Sequence, residues 1–138
     1  EEALIMTVIP ETHRDLLEKP SIWHVATVGP KGEPQASPVW ADYDGTHIRF
    51  PHKIGRQKWR NLNRNNQVAL SATDPENPER YLEIRGTLVE WETEGAVEFL
   101  DQMAKKYWGQ DEFPREHVGR LEDRITAVVK PEYCTTMG

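Results

Sequence analysis

The chain has 138 residues and 17 Lys and Arg against 23 Asp and Glu, a formal net charge of -6. That length predicts one domain over residues 1–138, and 37% hydrophobic with 29% charged residues is an ordinary globular composition. Apolar runs of only a few residues exclude a bilayer-spanning helix. The lone Cys134 excludes an internal disulfide and a cysteine metal cluster, and the acidity argues against general nucleic-acid or membrane-surface binding.

The segment "PETHRDLLEK", Pro10 to Lys19, predicts a short helix with Leu16 and Leu17 on its apolar edge, stopped by Pro20. "SIWHVATV" predicts a strand, "GPKGEP" a turn and "PQASPVWADY" the returning strand. Pro38 lacks an N–H, so its strand must be an edge or carry a bulge. "DYDGTHIRF" predicts a second hairpin turning at Asp44-Gly45. A helix is predicted from about Gly55 to Asn65, with Trp59 and Leu62 on its core side. "QVALSAT" alternates Val68, Leu70 and Ala72 and predicts a half-buried strand. "DPENPER" is expected to be a loop.

"YLEIRGTLVEW" predicts a long strand with Leu82, Ile84 and Leu88 on one face and a bend or bulge at Gly86. Residues 93–107 turn to helical spacing, with Val97, Leu100, Ala104 and Tyr107 as the stripe, widened by Phe99 and Met103, and Gly109 as the stop. "DEFPREHVGRLED" is expected to be irregular, and "RITAVVKP" is the last strand, closed by Pro131. A mainly antiparallel strand set with few helices predicts a small barrel. Trp23, Trp91 and Trp108 are expected to be packing residues, whereas Trp40 suits either a planar ligand or the core. The polar composition also fits apolar burial by aromatics or by a partner subunit.

One stretch stands apart. "HKIGRQKWRNLNRNNQVAL" carries Lys53, Arg56, Lys58, Arg60 and Arg64, and no Asp or Glu lies between Asp44 and Asp74. The first N–H groups of a helix lack internal partners, and the helix dipole favours carboxylates there. Arg56 and Lys58 in the first turn instead cost a few tenths of a kcal/mol to about one each. An anion at that spot reverses the sign of these terms, and phosphate is the leading candidate. Solvated surface charge is the alternative, and Trp59 stacking on nucleic acid is a further one. A Walker loop is absent. The five His show no metal-ligand spacing, no G-x-S-x-G occurs, and no acid–base pair stands out. An enzyme of this composition needs a bound cofactor for its reactivity.

The runs "IWHVATVGPKGEPQASPVWADYDG", "IRF" and "GRQKWRNLNRNNQVALSATDPENPERYLEIRGTLVE" resemble the pyridoxamine 5'-phosphate oxidase-like flavoprotein superfamily. GR-x-K-x-RNL-x-R and DP-x-NP-x-RYLE-x-RG are similar to its deazaflavin branch, which uses coenzyme F420. The resemblance, from about residue 20 to residue 130, implies a six-stranded antiparallel split β-barrel that dimerises, with cofactor at the subunit interface. It implies that Arg56 and Lys58 hold the cofactor phosphate. It also implies that Ser37, Pro38, Val39 and Trp40, with His52, Lys53 and Ile54, flank the ring and its ribityl chain. Gln57 and Arg60 are adjacent candidates, Arg60 for the acidic tail of the coenzyme. The branch often carries a small hydroxyl residue after the third strand, where this chain has Pro51 and His52. The activity implied is hydride transfer from reduced coenzyme F420 to an unsaturated or electron-poor small molecule; the single cysteine fits a reducing, cytoplasmic location. The rivals are an FMN-dependent oxidoreductase or flavin reductase of the same fold, and a non-catalytic cofactor carrier, haem binder or nucleic-acid binder. His52 is the one axial ligand near the site for a haem.

Overall fold

The computed structural model describes residues 8–138. A 3-10 turn at Glu11–His13 and a short helix α1 (Asp15–Glu18) replace the single predicted helix. The chain is diverted there because the Thr12 carbonyl accepts from Arg80 (2.7 Å). The same guanidinium donates to the Asp15 carboxylate at 2.6 Å. Strands β1 (Trp23–Val28), β2 (Pro34–Val39), β3 (Asp42–Tyr43) and β4 (Ile48–Lys53) follow, then helix α2 (Gln57–Arg64). The remainder is β5 (Gln67–Asp74), β6 (Asn77–Glu92), helix α3 (Ala96–Trp108) and β7 (Arg124–Met137), with 3-10 turns at Arg115–His117 and Leu121–Asp123.

All pairings are antiparallel, in the order β2-β1-β5-β6-β7-β4-β3. The two edge strands are joined by Trp40 and Ala41 alone. A connection that short obliges the sheet to curl until its edges approach, which is the split-barrel form. Seven strands are present rather than the expected six, because the returning segment divides. β2 stops at Val39, and Asp42–Tyr43 form a separate short strand against β4. At the Asp44 turn, the Asp44 carboxylate accepts from the N–H groups of Thr46 (2.8 Å) and His47 (2.7 Å). Pro38 lies on β2, which is an edge strand, so its missing donor leaves no ladder partner stranded.

Inside the curl, Trp23, Val25, Ile48, Phe50, Leu82 and Ile84 are fully buried. Burial of each stabilises the fold by about 1.5–3 kcal/mol. β5 buries Val68, Leu70 and Ala72 in strict alternation, as predicted. The long strand starts earlier than expected. "DPENPER" is a tight turn followed at once by β6, because the Asp74 carboxylate accepts from the Glu76 N–H (2.9 Å) and from Arg80 (2.9 Å). β7 runs on past Pro131 to Met137, since Pro131 falls at a register shift opposite Gly86 where no donor is needed. A Cβ on Gly86 would lie 2.2 Å from the Lys130 carbonyl oxygen, so the predicted bulge also demands glycine for space.

Helix α3 begins later than predicted and buries Ala96, Leu100, Met103 and Ala104. Gly109 ends it in the left-handed region, donating to the Lys105 carbonyl at 3.0 Å. Two tryptophans depart from expectation: Trp108 is 52% exposed, and Trp59 is half-buried outside the core while Leu62 alone anchors that face of α2. Among the described residues no helix is long and apolar enough to cross a membrane.

Candidate anion-binding site

β4 delivers the chain to the site. Pro51, His52 and Lys53 pair with Thr126, Ile125 and Arg124 of β7, so the approach is rigid. At Gly55 the backbone turns through φ 92°, a value that disfavours a side chain, and a Cβ there would face open space. Arg56, in extended conformation, precedes the first turn of α2. No side chain caps that helix and no acidic residue lies in its first turn. The first amides therefore point outward with the positive end of the dipole behind them.

A cleft of about 310 Å³ opens at this point. Ser37, Pro38, Val39 and Trp40 form one wall. His52, Lys53, Arg56 and Lys58 form the other, with Pro51 and Arg124. Three predicted residues do not line it. Ile54 is exposed. Gln57 donates to the Asn61 side chain at 2.8 Å. Arg60 is drawn back along its own helix, donating to the Gly55 carbonyl and, at 2.9 Å, to the Gln57 side chain. These three neighbour the cleft in sequence, and local hydrogen bonds turn Gln57 and Arg60 away from it.

The electrostatics are lopsided. Among the described residues, no carboxylate pairs with Arg56, Lys58 or Arg124. Lys58 Nζ lies 5.7 Å from the centroid of the Phe50 ring, and burial, with Arg56 nearby, pulls its pKa down to about 8. The Arg124 guanidinium stands 5.6 Å over the Phe113 ring and donates to the carbonyls of Val118 (2.8 Å) and His117 (3.2 Å). Its pKa is lowered by burial and by Arg56. His52 is wedged against Trp91, ring centroids 6.0 Å apart and nearly parallel. Burial, then Lys58, Arg56 and Arg124, press its pKa down to about 3, so the ring is neutral. Its Nε2 is buried with no hydrogen-bond partner.

Arg124 was not foreseen. As the first residue of a strand after Glu122 and Asp123, it reads as a surface ion-pair partner. Only the register Lys53↔Arg124 carries it into the cleft, and a single sequence does not reveal register.

This cleft sets Arg56, Lys58 and Arg124 against the β2 edge from Ser37 to Trp40, with His52 beside them. The molecule is a split-barrel protein. The family model described as Pyridoxamine 5'-phosphate oxidase matches residues 9–138, and the chain belongs to that family. A solved F420 reductase is 38% identical, over 92% of this chain and 98% of that one, with a TM-score of 0.83. A conserved hypothetical protein from Mycobacterium tuberculosis is 21% identical over 99% of this chain and 89% of its own, with a TM-score of 0.71. HupZ of Group A Streptococcus is 22% identical over 93% of each chain, with a TM-score of 0.65. The last two share the fold. No curated protein matches the chain significantly.

Proposed function

We propose that the protein is a cytoplasmic, coenzyme F420-dependent oxidoreductase that works as a homodimer with cofactor at the subunit interface. The carrying observation is the cluster of Arg56, Lys58 and Arg124, without carboxylates, at an uncapped helix start. The 38% identity to an F420 reductase over 92% of the chain supports the choice of coenzyme.

Lys58 and the first α2 amides would hold the phosphate, and Arg56 would close over it. Charge-assisted hydrogen bonds of this kind contribute about 1.5–3 kcal/mol each. The β2 edge from Ser37 to Trp40 would lie along the ring and its ribityl chain. His52, neutral, would form part of the cleft wall beside the ring. When bound and reduced, the deazaflavin supplies a hydride to an electron-poor double bond of a small molecule. The chain itself positions, excludes water and balances charge.

The test is titration of the purified protein with coenzyme F420, with FMN and with a short single-stranded oligonucleotide, followed by fluorescence. Micromolar F420 binding with negligible FMN binding supports the reading. Tight FMN binding alone replaces it with an FMN-dependent oxidoreductase. A strong, salt-sensitive oligonucleotide signal without flavin binding overturns it.

A further inference from the structure

A second, larger cleft of about 620 Å³ adjoins the first and shares Pro38, Val39, Trp40, Arg56 and Arg124 with it. Its remaining walls come from β1's approach, α3 and the following loop, and apart from His117 they are apolar. Trp108 and Phe113 stack with centroids 5.8 Å apart, and Trp108 meets Trp40 edge-on at 4.5 Å. Ile22 and Trp108 leave large apolar surface uncovered, 45% and 52% exposed. Apolar surface of this kind beside unpaired cations marks a binding site. Lys58 and the α2 amides belong to the smaller cleft alone, so the cations of the larger one are both guanidiniums, whose planar fork fits a carboxylate.

We propose that the cleft between Trp108, Phe113 and Arg124 is the substrate site, and that it takes a planar aromatic carboxylate. Its rings lie on Trp108 and Phe113, and its carboxylate accepts from Arg124. The charge complementarity selects this occupant: an uncharged ring leaves the Arg124 guanidinium without an anion, and a small inorganic anion leaves the aromatic wall bare. As a statement about substrate this rests on the oxidoreductase reading; as a statement about binding it stands apart from it.

The experiment is calorimetric titration of the unliganded protein with 2-naphthoate and with the neutral 2-naphthalenemethanol. Naphthoate is expected to bind at least about tenfold more tightly than the alcohol, as one charge-assisted hydrogen bond implies. Arg124→Gln should remove that preference. Because Arg124 also ties down two carbonyls, Trp108→Leu serves as the second variant, its folding checked by melting temperature, and it is expected to weaken naphthoate about tenfold. Lys58→Ala should leave naphthoate binding intact while weakening F420. Equal affinity for acid and alcohol, or no naphthoate binding, overturns the proposal. So does naphthoate loss in Lys58→Ala but not in Trp108→Leu, which puts the probe in the smaller cleft. Naphthoate affinity that falls as the protein dimerises also overturns it, since a second copy then covers the cleft. Naphthoate binding without F420 binding sinks the cofactor reading and spares this one.

Discussion

Lys58 carries its ammonium over the face of Phe50, 5.7 Å from the ring centroid, with no carboxylate paired to it among the described residues. A cation so placed is half-desolvated, and only an incoming anion restores what burial removed. Lys58→Ala is therefore expected to weaken F420 roughly ten- to a hundredfold, read by fluorescence titration. An unchanged dissociation constant makes Lys58 a bystander.

The pH dependence of binding follows from the same group. With a pKa of about 8 in the free protein, Lys58 is charged below that value and loses its proton above it. A bound anion raises the pKa, so binding above pH ~8 must take up a proton and weakens, by at most about tenfold per pH unit. Lys58→Arg stays charged throughout. Titrations between pH 7 and 9.5 should show a falling affinity for the parent and a flat one for Lys58→Arg. Parallel profiles would exclude Lys58 as the titrating group.

His52 links stability to pH in the acid range. Its folded pKa of about 3 lies below the ordinary 6.5, so the unfolded chain binds the extra proton. Stability from this group is complete above pH ~6.5 and falls as the pH drops toward 3, by at most about 1.4 kcal/mol per unit. Asp15, Asp44 and Asp74, whose pKa values are lowered, contribute only at the acid end of that range. Urea unfolding of His52→Gln and the parent at pH 7, 6 and 5 isolates the histidine. The variant should lose less stability than the parent, and identical losses would refute the assignment.

Tyr107 fastens α3 to the junction of the sheet edges. Its hydroxyl donates to the Ser21 carbonyl at 2.6 Å and accepts from the Ala41 N–H at 3.0 Å, while its ring stacks on Trp40. Tyr107→Phe leaves both buried groups short of a partner and should cost about 1–3 kcal/mol, measured by denaturant unfolding. A variant as stable as the parent means that water replaces the hydroxyl.

Much of the fold could be read from residue types. The turns at Gly32 and Asp44-Gly45, the alternation of β5, the helix stop at Gly109 and the bulge at Gly86 each have a local cause that one segment contains. The errors arise where distant residues intervene. Arg80 reaches across to break the first helix at Thr12, and Pro131 sits in a strand because Gly86 faces it. The site divides in the same way. Arg56 and Lys58 betray themselves by standing where carboxylates belong. Arg124 and Phe113 enter through strand register and loop path, which no local pattern records. Trp108 looks like packing because tryptophan usually is, yet here it is half uncovered.

Gly86 is equally suited to a direct test. Gly86→Val puts atoms where the Lys130 carbonyl oxygen already stands, 2.2 Å from the first added carbon. The ladder between β6 and β7 must shift, at a cost of about 1–3 kcal/mol or more. A melting temperature within a degree of the parent would show that the bulge yields freely.

The two-residue link of Trp40 and Ala41 is the seam of the barrel, and its Trp40 lines both clefts. Architecture and recognition therefore share one hinge point. Inserting a few glycines between Val39 and Asp42 would relax the seam and spoil ligand capture together, whereas the same insertion at the Gly32 turn should leave both alone.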